Sequence, residues 1–274
     1  MIYIIKNKHL NVSVNSAGGS LTSIKYKNEE RLWQGGEFWQ SQDVVIFPII
    51  GHAGPYTVDG ETFTPKSHGV ARYSEFSLAD IKEDRVTLEL NSNSVTKQTY
   101  PFDFTLKITY ALKKNTLKIT YEVYAKEGEI PFYIGGHPGM IVPDGEGIVE
   151  FEKEENATAY PVDGGEERYL EGLNTFAVNK EFFQKCKTFQ LGSLSGGAIR
   201  LYTSDGFRYS YKSDCTVFAF WSNPEGGNFV CVEPWWGIND SPDAPKEIYD
   251  KPFINIADTK GSEFSYTLTI DKPI

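Results

Sequence analysis

Positions 101–125, PFDFTLKITYALKKNTLKITYEVYA, alternate apolar and polar residues with a period of two. Phe102, Phe104, Leu106, Ile108, Tyr110 and Leu112 form the first apolar series. After Lys113-Lys114-Asn115-Thr116 the series resumes at Leu117, Ile119, Tyr121 and Val123. Successive side chains of a strand point to opposite faces, so this pattern predicts a long β-hairpin with one buried face. The same period recurs at Val86, Leu88 and Leu90, and at Phe264, Tyr266, Leu268 and Ile270. Unbroken apolar runs at 44–50 and 217–221 predict strands covered on both faces. Helical periodicity does not extend over a dozen residues anywhere, although 179–185 and 242–249 are expected to form short helices. Strands without interleaved helices imply an all-β fold in which mostly antiparallel sheets stack into a large sandwich. With no linker, charge block or internal repeat to divide it, the chain reads as a single domain over 1–274.

Composition reinforces the strand reading. Five Trp, 16 Tyr and 18 Phe make the chain 14% aromatic, and 25 Gly supply the punctuation between strands. Charge then narrows the partners. With 27 Lys+Arg against 37 Asp+Glu, the net charge is −10, which leaves no basic footprint for a nucleic-acid backbone. Positions 1–10 are too short in apolar residues for a signal h-region, and no segment approaches the roughly 18 needed for a membrane span. Cys186, Cys215 and Cys231 form an odd, unpatterned set. A reduced, cytoplasmic setting is expected.

Four histidines allow each to be weighed. His137 lies in Gly135-Gly136-His137-Pro138-Gly139-Met140, directly after an apolar strand. Two glycines permit close approach of a ligand or of another backbone, and a strand-end imidazole can exchange protons near neutral pH. The plainer alternative is a turn histidine satisfied by backbone. His68 and Arg72, in HGVAR, are an even number of positions apart and would share a face of an extended segment, Arg72 able to fork onto hydroxyls or an anion. His52 ends the run FPIIGH, and His9 lies in a charged N-terminal stretch where exposure is expected. The segment Val230-Cys231-Val232-Glu233-Pro234-Trp235-Trp236 places a carboxylate at the end of a hydrophobic strand. Burying it is costly unless something requires it there, and apolar surroundings would raise its pKa towards that of a general base. Trp235 and Trp236 offer flat faces suited to the C–H face of a sugar. Zinc would require His52, His68 and His137 to converge, and phosphate-loop, dinucleotide, G-x-S-x-G and HExxH signatures do not occur.

Taken together, LTSIKYKNEERLWQG (21–35), FWQSQDVVIFPIIGH (38–52), HGVAR (68–72), GGHPGM (135–140) and VCVEPWWGIND (230–240) resemble the aldose 1-epimerase (galactose mutarotase) family, in particular its LacX-like branch. The resemblance is collinear over most of the chain. It implies a galactose mutarotase-like β-supersandwich and an isomerase that interconverts the α and β anomers of a free hexose without metal or cofactor. By motif position it makes Glu233 the base on the C1 hydroxyl and His137 the acid on the ring oxygen. His68 would bind the sugar near that oxygen, with Arg72, His52, Trp235 and Trp236 as further substrate-binding candidates. The family's sugar-binding Asp is expected near Cys186, where no acid occurs, so Asp205, Asp214 or Asp240 would have to replace it in space. That departure keeps a non-catalytic sugar-binding or sensor protein as an alternative, and Arg72 keeps a phosphohexose 1-epimerase. The expected partner is a monosaccharide, and the sequence does not decide between a monomer and a homodimer.

Overall fold

The computed structural model describes residues 1–162 and 165–273. Its architecture is all-β. Ile2–Lys6, Leu10–Asn15, Leu21–Tyr26 and Glu29–Glu30 form a four-stranded meander, and most other strands join one 15-stranded antiparallel sheet. The expected hairpin is present. Phe104–Lys113 pairs with Thr116–Ala125 from Phe104↔Ala125 to Lys113↔Thr116, and its alternating apolar residues are buried. Arg85–Asn91 extends the hairpin on one side and Ser262–Asp271 on the other, as the period-two pattern at those positions requires.

The large sheet closes over itself. In strand order Phe229–Trp236 stands far from Thr116–Ala125 and Ser262–Asp271. Yet the Trp236 ring lies 6.4 Å from Tyr121 and 5.4 Å from Phe264. The two faces therefore meet across an interior rich in aromatic rings, where Tyr110, Tyr121, Tyr211 and Tyr266 are buried. Such side chains remove large apolar areas from water and dominate core energetics. Tyr110 also donates its hydroxyl to Gly19 O at 2.7 Å, fastening the N-terminal meander to the hairpin.

Local chemistry explains where the expected elements hold and where they fail. The helix Lys180–Cys186 forms, capped by the Asn179 side chain, which accepts the Phe182 N–H at 2.8 Å. Around 242–249 there is no α-helix, only a 3-10 turn at Ile248–Asp250, because Pro242 and Pro245 lack the N–H that a helix would use. The run at 44–50 is buried as expected, but only Val45–Ile46 is strand, with Pro48 interrupting the ladder. Among the described residues no helix is long and apolar enough to cross a membrane.

Candidate active site

Strand Phe229–Trp236 is the platform of the site. Glu233 sits within it rather than at its end, opposite Ala219 of Val217–Trp221. On its other side the strand is paired by two short strands. Ile134–Gly136 meets it at Trp236 and Trp235, and Gly139–Ile141 meets it at Cys231, Val230 and Phe229. The ladder is open between them, and His137 occupies the opening opposite Glu233. His137 Nε2 lies 3.2 Å from Glu233 Oε2. The glycine before His137 has a packing reason, since a Cβ on Gly136 would fall 2.5 Å from the Tyr266 hydroxyl and 2.9 Å from that of Tyr121. The segment is thus pressed against the core, and the histidine side chain is directed away from it.

Aromatic rings enclose His137. Trp39 stacks on it at 5.0 Å and 27°, while Trp221 and His68 meet it edge-on, each at 5.4 Å. Its backbone N–H donates to Asp43 Oδ1 at 3.3 Å, and Asp43 Oδ2 accepts the Leu21 N–H at 3.0 Å. Glu233 is fully buried. Burial pushes its carboxyl well above the usual carboxylate range, and the nearby Asp43 charge adds to the shift. The Trp235 indole, on the same strand face, opposes the shift without being aligned as a hydrogen bond. Burial likewise drives His137 well below the ordinary imidazole value, with His68 contributing. Each group is moved towards its uncharged form.

His68 differs in kind. It sits at φ 61°, in the left-handed region, and its Nδ1 accepts the Gly51 N–H at 3.3 Å. The proton of the neutral ring is therefore on Nε2, which is left to donate. Burial, followed by the charge of Arg72 and by His52, holds His68 down at about 3. Among the described residues no carboxylate lies beside it, and this ring stays neutral near neutral pH. The following Gly69 is required by close approach, because a Cβ there would lie 2.3 Å from Phe47 O. The segment then turns into the 3-10 helix Ala71–Tyr73, so His68 and Arg72 do not share a face of an extended strand as the spacing suggested. They nevertheless line the same cavity.

That cavity measures about 930 Å³, and its walls include His52, His68, Arg72, His137, Glu233 and Trp235. Trp236 is not on the wall. It occupies the opposite strand face, packs against Tyr121 and Phe264, and donates its indole N–H to Asp214 Oδ1 at 3.2 Å. Alternation along the strand decides this, since adjacent residues cannot face the same side. Cys186 is also absent from the wall, having ended the short helix, and Thr188 lines the cavity instead. Of the three acids that might replace the expected Asp, Asp205 binds Arg31 and Thr203, Asp214 holds Trp236, and Asp240 alone reaches the cavity.

Several contributors had no sequence signal of their own. Trp39 and Trp221 were two aromatics among many, and Asp43 was an acid inside a quoted motif. A metal could be held by His137, Cys231 and Glu233, whose ligand atoms all lie within 4.8 Å of one another. This is a different set from the three histidines considered above. Cys231 joins it because it shares the strand face of Glu233, two residues away.

Comparison with known proteins agrees with this architecture. Over an alignment of 295 residues the chain is 28% identical to the chromosomal LacX protein of Lactococcus lactis subsp. lactis, covering 97% of this chain and 98% of that protein. A galactose mutarotase related enzyme from Lactobacillus acidophilus superposes with a TM-score of 0.92 at 26% identity, covering 99% of this chain and 97% of that one. A galactose mutarotase-like protein from Lactobacillus casei gives 0.91 at 22% identity, covering 99% and 100%. The sequence profile described as aldose 1-epimerase matches residues 1–158, more than half of the chain and including the segment that carries His68 and His137. By that match, on a fold shared with mutarotase-like proteins, the chain belongs to the aldose 1-epimerase family.

Proposed function

We propose that this protein is an aldose 1-epimerase that interconverts the anomers of a free hexose, with Glu233 as general base and His137 as general acid. The observation that carries the reading is the 3.2 Å contact between His137 Nε2 and Glu233 Oε2 at the wall of a cavity large enough for a monosaccharide. The anomeric hydroxyl oxygen and the ring oxygen are both bonded to C1. A base for one and an acid for the other must therefore be close neighbours, as these two groups are.

The proton count fits as well. In the reacting state Glu233 is a carboxylate and His137 an imidazolium, a pair holding one proton. Glu233 removes the C1 hydroxyl proton while His137 protonates the ring oxygen, the C1–O5 bond breaks, and an open-chain aldehyde forms. The pair then consists of a carboxylic acid and a neutral imidazole, again with one proton. Rotation about C1–C2 presents the other carbonyl face, and the reverse transfers close the ring as the opposite anomer. The pair holds one proton before and after ring opening, so no proton need be exchanged with solvent. His68, neutral and with its proton on Nε2, donates a hydrogen bond near the ring oxygen without competing as the acid. Trp235 and Trp39 supply apolar faces for the sugar's C–H groups.

The test is the equilibration of freshly dissolved α-glucose and α-galactose, followed by polarimetry or NMR. Glu233→Gln should lower the enzymatic rate by about 10²–10⁴-fold with the fold intact. Undiminished catalysis in that variant would remove the assignment.

A second reading, a phosphohexose 1-epimerase, is favoured by one observation. Arg72 lines the cavity with no carboxylate partner among the described residues, and both it and Lys66 lie against the Tyr73 ring, at 5.2 and 5.0 Å. A preference for glucose 6-phosphate over glucose would support that reading.

A further inference from the structure

The cavity contains a second pair of charged side chains that the proton-transfer scheme leaves unused. Asp240 and Lys251 both line it. Their side chains are 9% and 3% exposed, and Lys251 Nζ donates to Asp240 Oδ2 and, at 3.2 Å, to Pro245 O. Burying two charges is costly unless their remaining hydrogen-bonding capacity is met. Here it is not met. Asp240 Oδ1 is buried without a partner among the described residues. Lys251 has three N–H donors and uses two of them among the described residues.

The pair is fixed in place by its neighbours. The Asn239 backbone N–H donates to Oε1 of the fully buried Gln190 at 2.9 Å. The Asn239 side chain donates to the Asp240 backbone oxygen at 3.2 Å rather than to the free carboxylate oxygen. One open acceptor and one open donor are therefore held side by side at the wall of a sugar-sized cavity. A hydroxyl group both donates and accepts, so it is the simplest group that satisfies both positions. A phosphate would meet the Asp240 carboxylate as a like charge and could accept only from Lys251.

We propose that Asp240 and Lys251 form a hydroxyl-reading pair that positions the sugar through a hydroxyl other than the one at C1. This deepens the epimerase reading and rests on it for the identity of the ligand. Asp240 Oδ1 accepts the hydroxyl proton, and Lys251 Nζ donates to the hydroxyl oxygen. The pair is a positioning device for the substrate and takes no part in proton transfer at C1.

The experiment measures equilibrium binding by ligand-observed NMR, and mutarotation in parallel, for glucose and its 2-, 3-, 4- and 6-deoxy analogues. Asp240→Asn should weaken glucose binding and raise KM by about 10–100-fold, the range for a hydrogen bond to a charged group, with kcat changed by less than about threefold. One deoxy sugar should bind the natural protein as poorly as glucose binds the variant, and should show no further loss in the variant, while the other analogues show the full loss. Asp240→Asn/Lys251→Met, which removes both charges together, should reproduce this pattern and guards against a fold defect caused by an unpaired lysine. Unchanged glucose binding in both variants, or a loss equal for all five sugars, overturns the proposal. If the natural protein binds these sugars with the stated selectivity but does not accelerate mutarotation, the epimerase reading falls and the hydroxyl-reading pair stands. If it accelerates mutarotation and the Asp240 variants behave like it, only the pair falls.

Discussion

The floor of the cavity and its rim are built on different principles. On the floor, His137 and Glu233 are positioned by strand register, buried, and surrounded by Trp39 and Trp221. At the rim, His52 is exposed and Arg72 half-buried, both on turns and loops. The floor can hold two titratable groups at a fixed separation because neighbouring strands leave their side chains no alternative. The rim presents charge to solvent, where water competes for every contact. Chemistry that needs a set geometry belongs on the floor, and contact with charged groups on a substrate belongs at the rim.

The largest effect that would break this contrast concerns the two floor residues as a unit. If Glu233 and His137 share one proton, removing either should cost nearly the whole of what the pair supplies. His137→Gln should reduce mutarotation by about 10²–10⁴-fold, and Glu233→Gln/His137→Gln should be no slower than the worse single variant within about threefold. NMR exchange rates on the three proteins measure this. Losses that multiply in the double variant would show two groups acting independently.

The floor was also the more legible region in the sequence, though for uneven reasons. Glu233 stood out because a carboxylate inside an apolar run has a physical cost, and His137 because glycines on one side and Pro138 on the other mark a strand end. The hairpin at 101–125 was legible because a strict period of two has only one structural solution. What could not be read was lateral pairing. The opening between Ile134–Gly136 and Gly139–Ile141 brings His137 opposite Glu233, and it depends on a strand about 95 residues further along the chain. Trp235 and Trp236 read alike in sequence, but strand alternation sends one to the cavity and the other to the core. His68 and Arg72 reach the cavity through a left-handed residue and a 3-10 turn, not through the extended segment their spacing suggested.

A smaller effect sharpens the comparison through Asp43, which lies beneath the floor. Burial raises its carboxyl from the ordinary 3.8 to about 6, against the backbone N–H groups of Leu21, His137 and Val44, which hold it down. The folded state therefore takes up the proton more readily than the unfolded chain. The associated stability is complete below about pH 3.8 and is lost as pH rises through about 6. Across that window the stability of the natural protein relative to Asp43→Asn should fall by up to about 3 kcal/mol, which denaturant titrations at a series of pH values would measure. Parallel curves for the two proteins would mean that Asp43 is already ionised in the fold at low pH.

The smallest expected effect is at the rim. With a neutral hexose, Arg72→Gln removes a partly solvated cation that makes no bond to the reacting atoms, so kcat/KM for glucose should change by about threefold or less. The same variant should leave the ordering of the deoxy sugars intact, because that ordering is assigned to Asp240 and Lys251. Assays with glucose and glucose 6-phosphate at low and high salt give the rim its sharpest test. A loss of tenfold or more confined to the phosphorylated sugar, shrinking as salt screens the charge, would mean that Arg72 is an anion receptor and that the second reading is the better one. A loss of that size on glucose itself would erase the distinction between floor and rim, since a loop cation would then be contributing to the chemistry at C1.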